Sequence, residues 1–308
     1  VAGVLIALRP TQSFDVGTVA AWCRDWLINA TNPYPGVDFR TNYPPYALAL
    51  LSPLALLPQG LLHGLWAAVS VVLAVLAGWL GLRTTASGRR LDYDLRLPVG
   101  LFLAWESVRV GLGLGQFTLL SLVCGLGAGV YRGRIGRGIL LGIAMIKPQV
   151  GAAFVLWAIL ESAIAPVLIA AVPVVVGTIV FAARLGLSPL SIAAQYGAVL
   201  RHELGSPGFR RGALELRPLI HDLVAQPVLA DAIHLGIVIG SLMLLVVVAR
   251  RMSRACRRFF LLPLTCLWTL MSVYHPSYDL VLMWPAAIAI AAWQADSNLA
   301  ADVLVATP

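Results

Sequence analysis

Long uninterrupted runs of apolar residues constrain this chain more than any other feature. Three runs, at residues 61–82, 165–183 and 229–249, reach the length of about 20 residues that an α-helix needs to cross a bilayer. Only 12% of the 308 residues are charged, whereas a soluble domain carries about 25%. A chain with 59% hydrophobic residues and a mean hydropathy of +0.86 cannot hide its apolar surface in a water-soluble domain of this size. Because a backbone in lipid must satisfy its own hydrogen bonds, we predict an all-α, polytopic transmembrane helical bundle.

Seven further apolar runs are short, or are interrupted by Pro and Gly. They occupy residues 46–57, 97–108, 117–131, 138–146, 149–163, 259–273 and 279–293. Short or broken helices are tolerated at membrane depth where they face other protein or a water-filled cavity. We therefore expect these helices to line a cavity on the extracytoplasmic side.

The chain shows no internal repeat and no composition typical of a separate soluble domain. We predict one transmembrane domain over residues 1–293, followed by a short polar cytoplasmic tail, 294–308. The opening VAGVLIAL is too short to span a bilayer, and it lacks the basic start and the cleavage site of a signal peptide. We expect it to be the truncated end of a first helix, with further sequence upstream.

The net charge of +8 has a topological explanation. Twelve of the 22 basic residues lie in the short loops 83–96, 132–137 and 250–258, and the only lysine is Lys147. The positive-inside rule places these loops in the cytoplasm, and the long segments 9–45 and 184–228 then lie together outside. The excess of basic residues therefore requires no nucleic-acid partner.

The four cysteines have no paired spacing, so we interpret them as small core residues and expect no disulfide or metal site: Cys23, Cys124, Cys256 and Cys266.

Two features of the first external segment are candidates for function. Asp15 either caps a helix that runs to about residue 28, or acts as a general base at the membrane surface. Tyr43 precedes Pro44-Pro45, which end one helix and begin another. Such a segment is also typical of a helix lying on the bilayer with its tyrosines at the interface, and both interpretations can hold together.

A third candidate region is AWESVRVGLGLGQFTLL, residues 104–120. Glu106 and Arg109 are three residues apart and face the same way on a helix, so they can form a structural pair. The alternative is that Arg109 and Gln116 face a polar ligand. The glycines between them do not have the spacing or the preceding strand of a dinucleotide fingerprint.

Two further regions place charge between apolar helices. Lys147 ends the run GILLGIAMIKPQV and either extends toward the membrane surface or binds a phosphate. In MSVYHPSYDLVLMWP, His275, Tyr278 and Asp279 form either a simple turn and cap or a functional site. No other His lies at a ligand spacing, so we expect no metal there.

An ionisable residue at membrane depth costs several kcal/mol and usually marks function. The predicted topology brings six such polar residues near one face: Asp15, Arg109, Gln116, Lys147, His275 and Asp279. A carboxylate beside cations suits a reaction in which a hydroxyl attacks and a phosphate leaves.

Four stretches of the sequence resemble glycosyltransferase family 87, a group of polytopic enzymes with the GT-C type of fold. They are FDVGTVAAWCRDWLINATNPYPGVDFRTNYPPYALALLSPLALLP, GLGLGQFTLLSLV, GILLGIAMIKPQVGAAFVLWAIL and SVYHPSYDLVLMWPAA. Their order is similar to that of the family, from about Asp15 to about residue 290. The last stretch departs from the family pattern, which is richer in Trp and His. The chain also resembles the mycobacterial mannosyltransferases of the family, and its Ala-, Gly- and Val-rich composition with Arg in place of Lys suits a high-GC actinobacterial genome.

The resemblance implies a hexosyltransferase, with a polyprenyl-phosphate sugar such as polyprenyl-phosphate mannose as donor and a glycan or glycolipid as acceptor. It implies a multi-pass protein of the plasma membrane with an extracytoplasmic active site, and no cofactor or metal. Asp15 maps onto the family's catalytic base. Lys147, Arg109 and His275 would bind the donor phosphate. The remaining predicted substrate-binding residues are Tyr43, Gln116, Tyr278 and Asp279.

The alternative is a secondary transporter or lipid flippase, which also uses broken helices and charges near the membrane midplane. A third possibility is a non-catalytic relative that functions only with partners. The enzyme hypothesis requires Asp15 to lie within about 10 Å of Lys147 or Arg109 across a cavity, so that one donor reaches both. Transporters usually show two related halves, and this sequence shows none.

Overall fold

The computed structural model describes residues 14–35, 41–85, 96–131, 133–205 and 215–295, and these residues form helices without strands. The fourteen α-helices of the described residues are α1 (Phe14–Leu27), α2 (Pro45–Leu51), α3 (Gln59–Thr85), α4 (Arg96–Ala104), α5 (Glu106–Leu114), α6 (Thr118–Val130), α7 (Arg134–Ala144), α8 (Pro148–Leu160), α9 (Ile164–Arg184), α10 (Pro189–Gly205), α11 (Leu216–Leu223), α12 (Pro227–Arg251), α13 (Arg254–Ser272) and α14 (Trp284–Ala295). Two 3₁₀ helices, Ser52–Leu56 and Ser277–Met283, follow α2 and precede α14. The all-α prediction is confirmed.

Three of these helices are long and apolar enough to cross a membrane: α3, α9 and α12. They coincide with the three long apolar runs of the sequence. Helices α9 and α12 turn many large apolar side chains outward, among them Val172, Val176, Leu235 and Met243. Outward apolar surface of this extent suits a helix that faces lipid. The chain is therefore a membrane protein.

The shorter apolar runs are broken, as expected, and the breaks have identifiable causes. Helices α4 and α5 meet at Trp105 with a bend of 60°. Helix α5 ends at Gly115, whose φ of +69° is a left-handed conformation that only glycine adopts at little cost. Lys147 stands between α7 and α8 because Pro148 begins α8, and a residue before proline is driven out of the helical region (φ −116°, ψ 89°).

Two predicted elements differ in detail from the structure. The run 279–293 forms the 3₁₀ helix Ser277–Met283 followed by α14, because the chain turns at Pro276. The long segment 184–228 contains α10 and α11, which are less apolar than the spans. The opening VAGVLIAL and all but two residues of the predicted tail 294–308 lie outside the described residues.

The core consists mainly of two clusters of buried apolar side chains. One joins α3, α6, α8, α13 and α14 around Leu122 and Phe154. The other holds α1 and α2 against α9, with Trp26 stacked on Phe181 at 4.9 Å between ring centroids. All four cysteines are buried and free. Because α1 is fixed by this second cluster, the residues on its opposite face have defined positions.

Candidate active site

A cavity of about 1000 Å³ lies where the broken helices meet. Its walls come from α1, the segment before α2, the turns around Gln116 and Lys147, helix α10, the segment from Glu215 to His234, and residues 272–278. Five of the eight predicted site residues line it: Asp15, Tyr43, Gln116, Lys147 and Tyr278. Positions more than 260 residues apart in sequence thus share one cavity.

Lys147 is the centre of a buried polar cluster. Its side chain is 5% exposed, and its ammonium donates hydrogen bonds to Gln116 Oε1 (3.0 Å), Thr118 Oγ1 (2.6 Å) and Asp279 Oδ1 (3.0 Å). The ammonium also lies 4.1 Å from the centroid of the Tyr278 ring, a distance typical of a cation–π interaction. All three N–H donors of the lysine are therefore occupied within the protein.

Asp279 is fully buried and is the counterion of Lys147. Its Oδ1 accepts a hydrogen bond from Thr118 (2.9 Å), and its Oδ2 lies 3.2 Å from His275 Nδ1. Neither Asp279 nor His275 lines the cavity, and each is 0% exposed. The two residues thus lie behind the cavity wall, with Asp279 supporting Lys147 and His275 contacting Asp279. Their contact with substrate stays a prediction.

Asp15 lies in the first turn of α1, and one face of that helix lines the cavity. Burial raises the pKa of the Asp15 carboxyl, and the charge of Lys147 opposes this shift by lowering the pKa. A carboxylate whose pKa is raised toward neutrality is a better general base. Asp15 also lies where an acidic group interacts favourably with the helix dipole, as the alternative interpretation of this residue expects.

Arg109 is not brought to the cavity. Its guanidinium pairs with Glu106 at 3.2 Å on the outer face of α5, where the two side chains are 53% and 72% exposed. The pairing reflects the three-residue spacing of the two side chains on one helix. Arg109 does not line the cavity that holds Lys147, and its predicted role in binding the donor phosphate stays a prediction.

Sequence reasoning missed two parts of the site. Thr118 bridges Lys147 and Asp279, but a threonine inside an apolar run carries no signal of its own. A second polar group lines another part of the cavity wall: Arg217 pairs with Asp231 at 2.9 Å, beside Glu215 and His234. Asp231 also lies 2.8 Å from His221. The concentration of charge in residues 215–234 is the signal that could have revealed this group.

The fold and the cavity define a helical membrane protein whose broken helices enclose a carboxylate and a buried cation. A family model described as glycosyltransferase family 87 matches residues 41–276, well over half of the chain. The chain belongs to glycosyltransferase family 87, and the protein is a membrane glycosyltransferase that acts on a donor and an acceptor. Comparison with curated proteins found no match. Comparison with solved structures likewise found none.

The matched region contains Tyr43, Gln116, Lys147 and His275. Asp15 precedes it and Asp279 follows it. The family match therefore supports the scaffold around Lys147. The role of Asp15 depends on its place in the cavity wall, and that of Asp279 on its contact with Lys147.

Proposed function

We propose that the protein transfers a hexose, most simply mannose, from a polyprenyl-phosphate donor to a glycan or glycolipid acceptor. The reaction takes place on the extracytoplasmic face of the plasma membrane, in a single multi-pass domain. One observation carries the proposal: Asp15 and Lys147 face the same cavity and are close enough for the lysine charge to lower the pKa of the aspartate. The positive-inside distribution of arginines supports the sidedness.

In the proposed reaction, the Asp15 carboxylate accepts the proton of an acceptor hydroxyl. The acceptor oxygen then bonds to the anomeric carbon of the donor, and the bond between that carbon and the phosphate oxygen breaks. The polyprenyl phosphate leaves with the bonding electron pair. A phosphate needs charge-assisted hydrogen bonds as its negative charge grows, and it needs no proton.

Lys147 is the group that would bind the leaving phosphate and stabilise its negative charge. Asp279 stays beside the ammonium and stabilises its charge in a buried site. The hydrogen bonds to Gln116 and Thr118 go to neutral oxygens, which are released at less cost than the bond to a carboxylate. Of these two, Gln116 lines the cavity, so the donor phosphate would replace the Gln116 oxygen on Lys147. Tyr278 and Tyr43 would bound the same space.

The test is sugar transfer in membranes that contain the full-length protein, with radiolabelled polyprenyl-phosphate mannose as donor. Asp15→Asn should lower the transfer rate by about 10²–10⁴-fold, the usual contribution of a general base. Asp25→Asn is the matched control, because Asp25 lies on the same helix but bonds to Asn29 and does not line the cavity.

Transfer that survives Asp15→Asn at the wild-type rate would refute the assignment of the base. No transfer by the wild type from polyprenyl-phosphate mannose would refute mannose as the sugar. If the wild type then transferred a sugar from another lipid-linked donor, the protein would still be a glycosyltransferase. If it transferred a sugar from no lipid-linked donor, the transporter or flippase alternative would be favoured.

A further inference from the structure

One face of α1 lines the cavity over two helical turns. Asp15, Thr18, Val19 and Trp22 all contribute to the wall, at the spacing of residues that share one side of a helix. Asp15 is the proposed base, and Trp22 stands at the other end of this face. With a rise of 1.5 Å per residue, the two positions are about 10 Å apart along the helix axis.

Trp22 differs from the other tryptophans that pack near α1. Trp26 and Trp66 are 3% and 8% exposed. Their indole N–H groups donate to the carbonyl oxygens of Phe181 and Gly115, at 3.0 and 2.9 Å. These two are core residues with satisfied polar atoms. Trp22 is only partly buried, and it lines the cavity.

The Trp22 ring packs against buried aromatic residues in the wall. Its centroid lies 6.3 Å from that of Tyr43, with the two planes inclined by 49°. Tyr43 is itself buried and packs edge-on against Phe117 at 5.7 Å. An aromatic ring supported in this way presents a rigid apolar surface at low cost in conformational entropy.

We propose that Trp22 forms a sugar-binding subsite for the acceptor, on which the apolar face of a sugar ring stacks. The subsite rests on the proposed function, since its position is defined by the hydroxyl that Asp15 activates. Because the two positions are about two helical turns apart, we assign Trp22 to a second or later sugar of the acceptor. The donor sugar is bonded directly to the lipid phosphate, so the only extended saccharide in the site is the acceptor. The enzyme therefore favours acceptors of at least two sugars.

The test measures binding separately from transfer. The full-length protein in nanodiscs is titrated with octyl α-mannoside, its α-linked disaccharide and its trisaccharide, with binding followed by saturation-transfer NMR. The wild type should bind the disaccharide about tenfold more tightly than the monosaccharide, the factor of one well-placed stacking contact. Trp22→Ala should remove this gain, and Trp22→Tyr should retain most of it. Trp293→Ala is the control, because Trp293 is 41% exposed and lies outside the cavity wall.

Two binding results would overturn the subsite: a length-dependent gain that persists in Trp22→Ala, or equal binding of short and long saccharides by the wild type. A raised KM for polyprenyl-phosphate mannose in Trp22→Ala, with acceptor binding unchanged, would assign the indole to the donor and also overturn it. Failure of the proposed function looks different, because transfer would then be absent from a wild type that still binds the longer saccharides more tightly.

Discussion

The buried ion pair between Lys147 and Asp279 allows a quantitative test of the site. The two side chains are 5% and 0% exposed, with Nζ and Oδ1 3.0 Å apart. Removing one partner of such a pair leaves an uncompensated buried charge, which costs about 3–5 kcal/mol. We therefore expect Asp279→Asn to lower the free energy of unfolding by about that amount. Thr118 and His275 lose their carboxylate partner at the same time, which places the loss toward the upper end of the range.

Replacing both partners should have the opposite outcome. In Lys147→Met/Asp279→Leu no charge remains buried, and exchange of a buried ion pair for apolar side chains is often neutral or stabilising. The double variant should therefore unfold close to the wild type, while losing sugar transfer because the leaving phosphate no longer meets a cation. The double variant would then keep the stability of the wild type and lose its activity.

The measurement is unfolding in mixed micelles, followed as a double-mutant cycle. A matched control is the half-buried pair of Arg137 and Glu161, which are 2.7 Å apart and 18% and 21% exposed. Glu161→Gln should cost less than Asp279→Asn, because a more solvated pair contributes closer to 1 kcal/mol. The reasoning is refuted if the two single variants cost the same, or if the double variant is as unstable as Asp279→Asn.

Two further predictions concern the pH profile and the core. The transfer rate should fall as the pH drops through the pKa of Asp15, which burial raises above the ordinary 3.8. The pH–rate profile of the residual activity of Asp15→Asn should lack this fall at low pH, and a profile that shows it would contradict the prediction. Gly125→Ala should lower the unfolding temperature in a thermal melt, since a Cβ there would lie 2.2 Å from the Phe154 ring and overpacking costs about 1–3 kcal/mol. Gly60→Ala, with nothing within 4 Å of its Cβ, should not; equal melts for the two variants would refute the packing argument.

The sequence predicted the elements of the fold well because each carries a local signal. Twenty apolar residues specify a span by length alone, as in α3, α9 and α12. Pro148 and Gly115 specify breaks by their backbone chemistry. Lys147 stood out because a single lysine in an apolar run has few structural reasons to be there. These inferences need no knowledge of what lies across the fold.

The contacts between elements could not be predicted in the same way. Arg109 has a sequence signal as strong as that of Lys147, and only the rotation of α5 decides that it faces outward toward Glu106. Thr118 has no signal, since a threonine on an apolar helix usually bonds to its own backbone. Trp22 has none either, because a tryptophan at helical spacing is in most cases a core residue. Each of these depends on packing between segments distant in sequence.

Three of the helix breaks, at Gly115, Pro148 and Pro276, explain why a charged site can exist in so apolar a chain. A continuous helix satisfies its own backbone and offers its neighbours only side chains. At Gly115, at Pro148 and at Pro276 the helix is interrupted, and each interruption places a polar residue at a helix end: Gln116, Lys147 and Asp279. Because the three ends meet, the ammonium finds a carboxylate and neutral oxygens together, which a buried charge requires to be stable. Filling any one break with continuous helix should remove a partner from the cluster, so the irregular backbone is a condition of the site as well as its location.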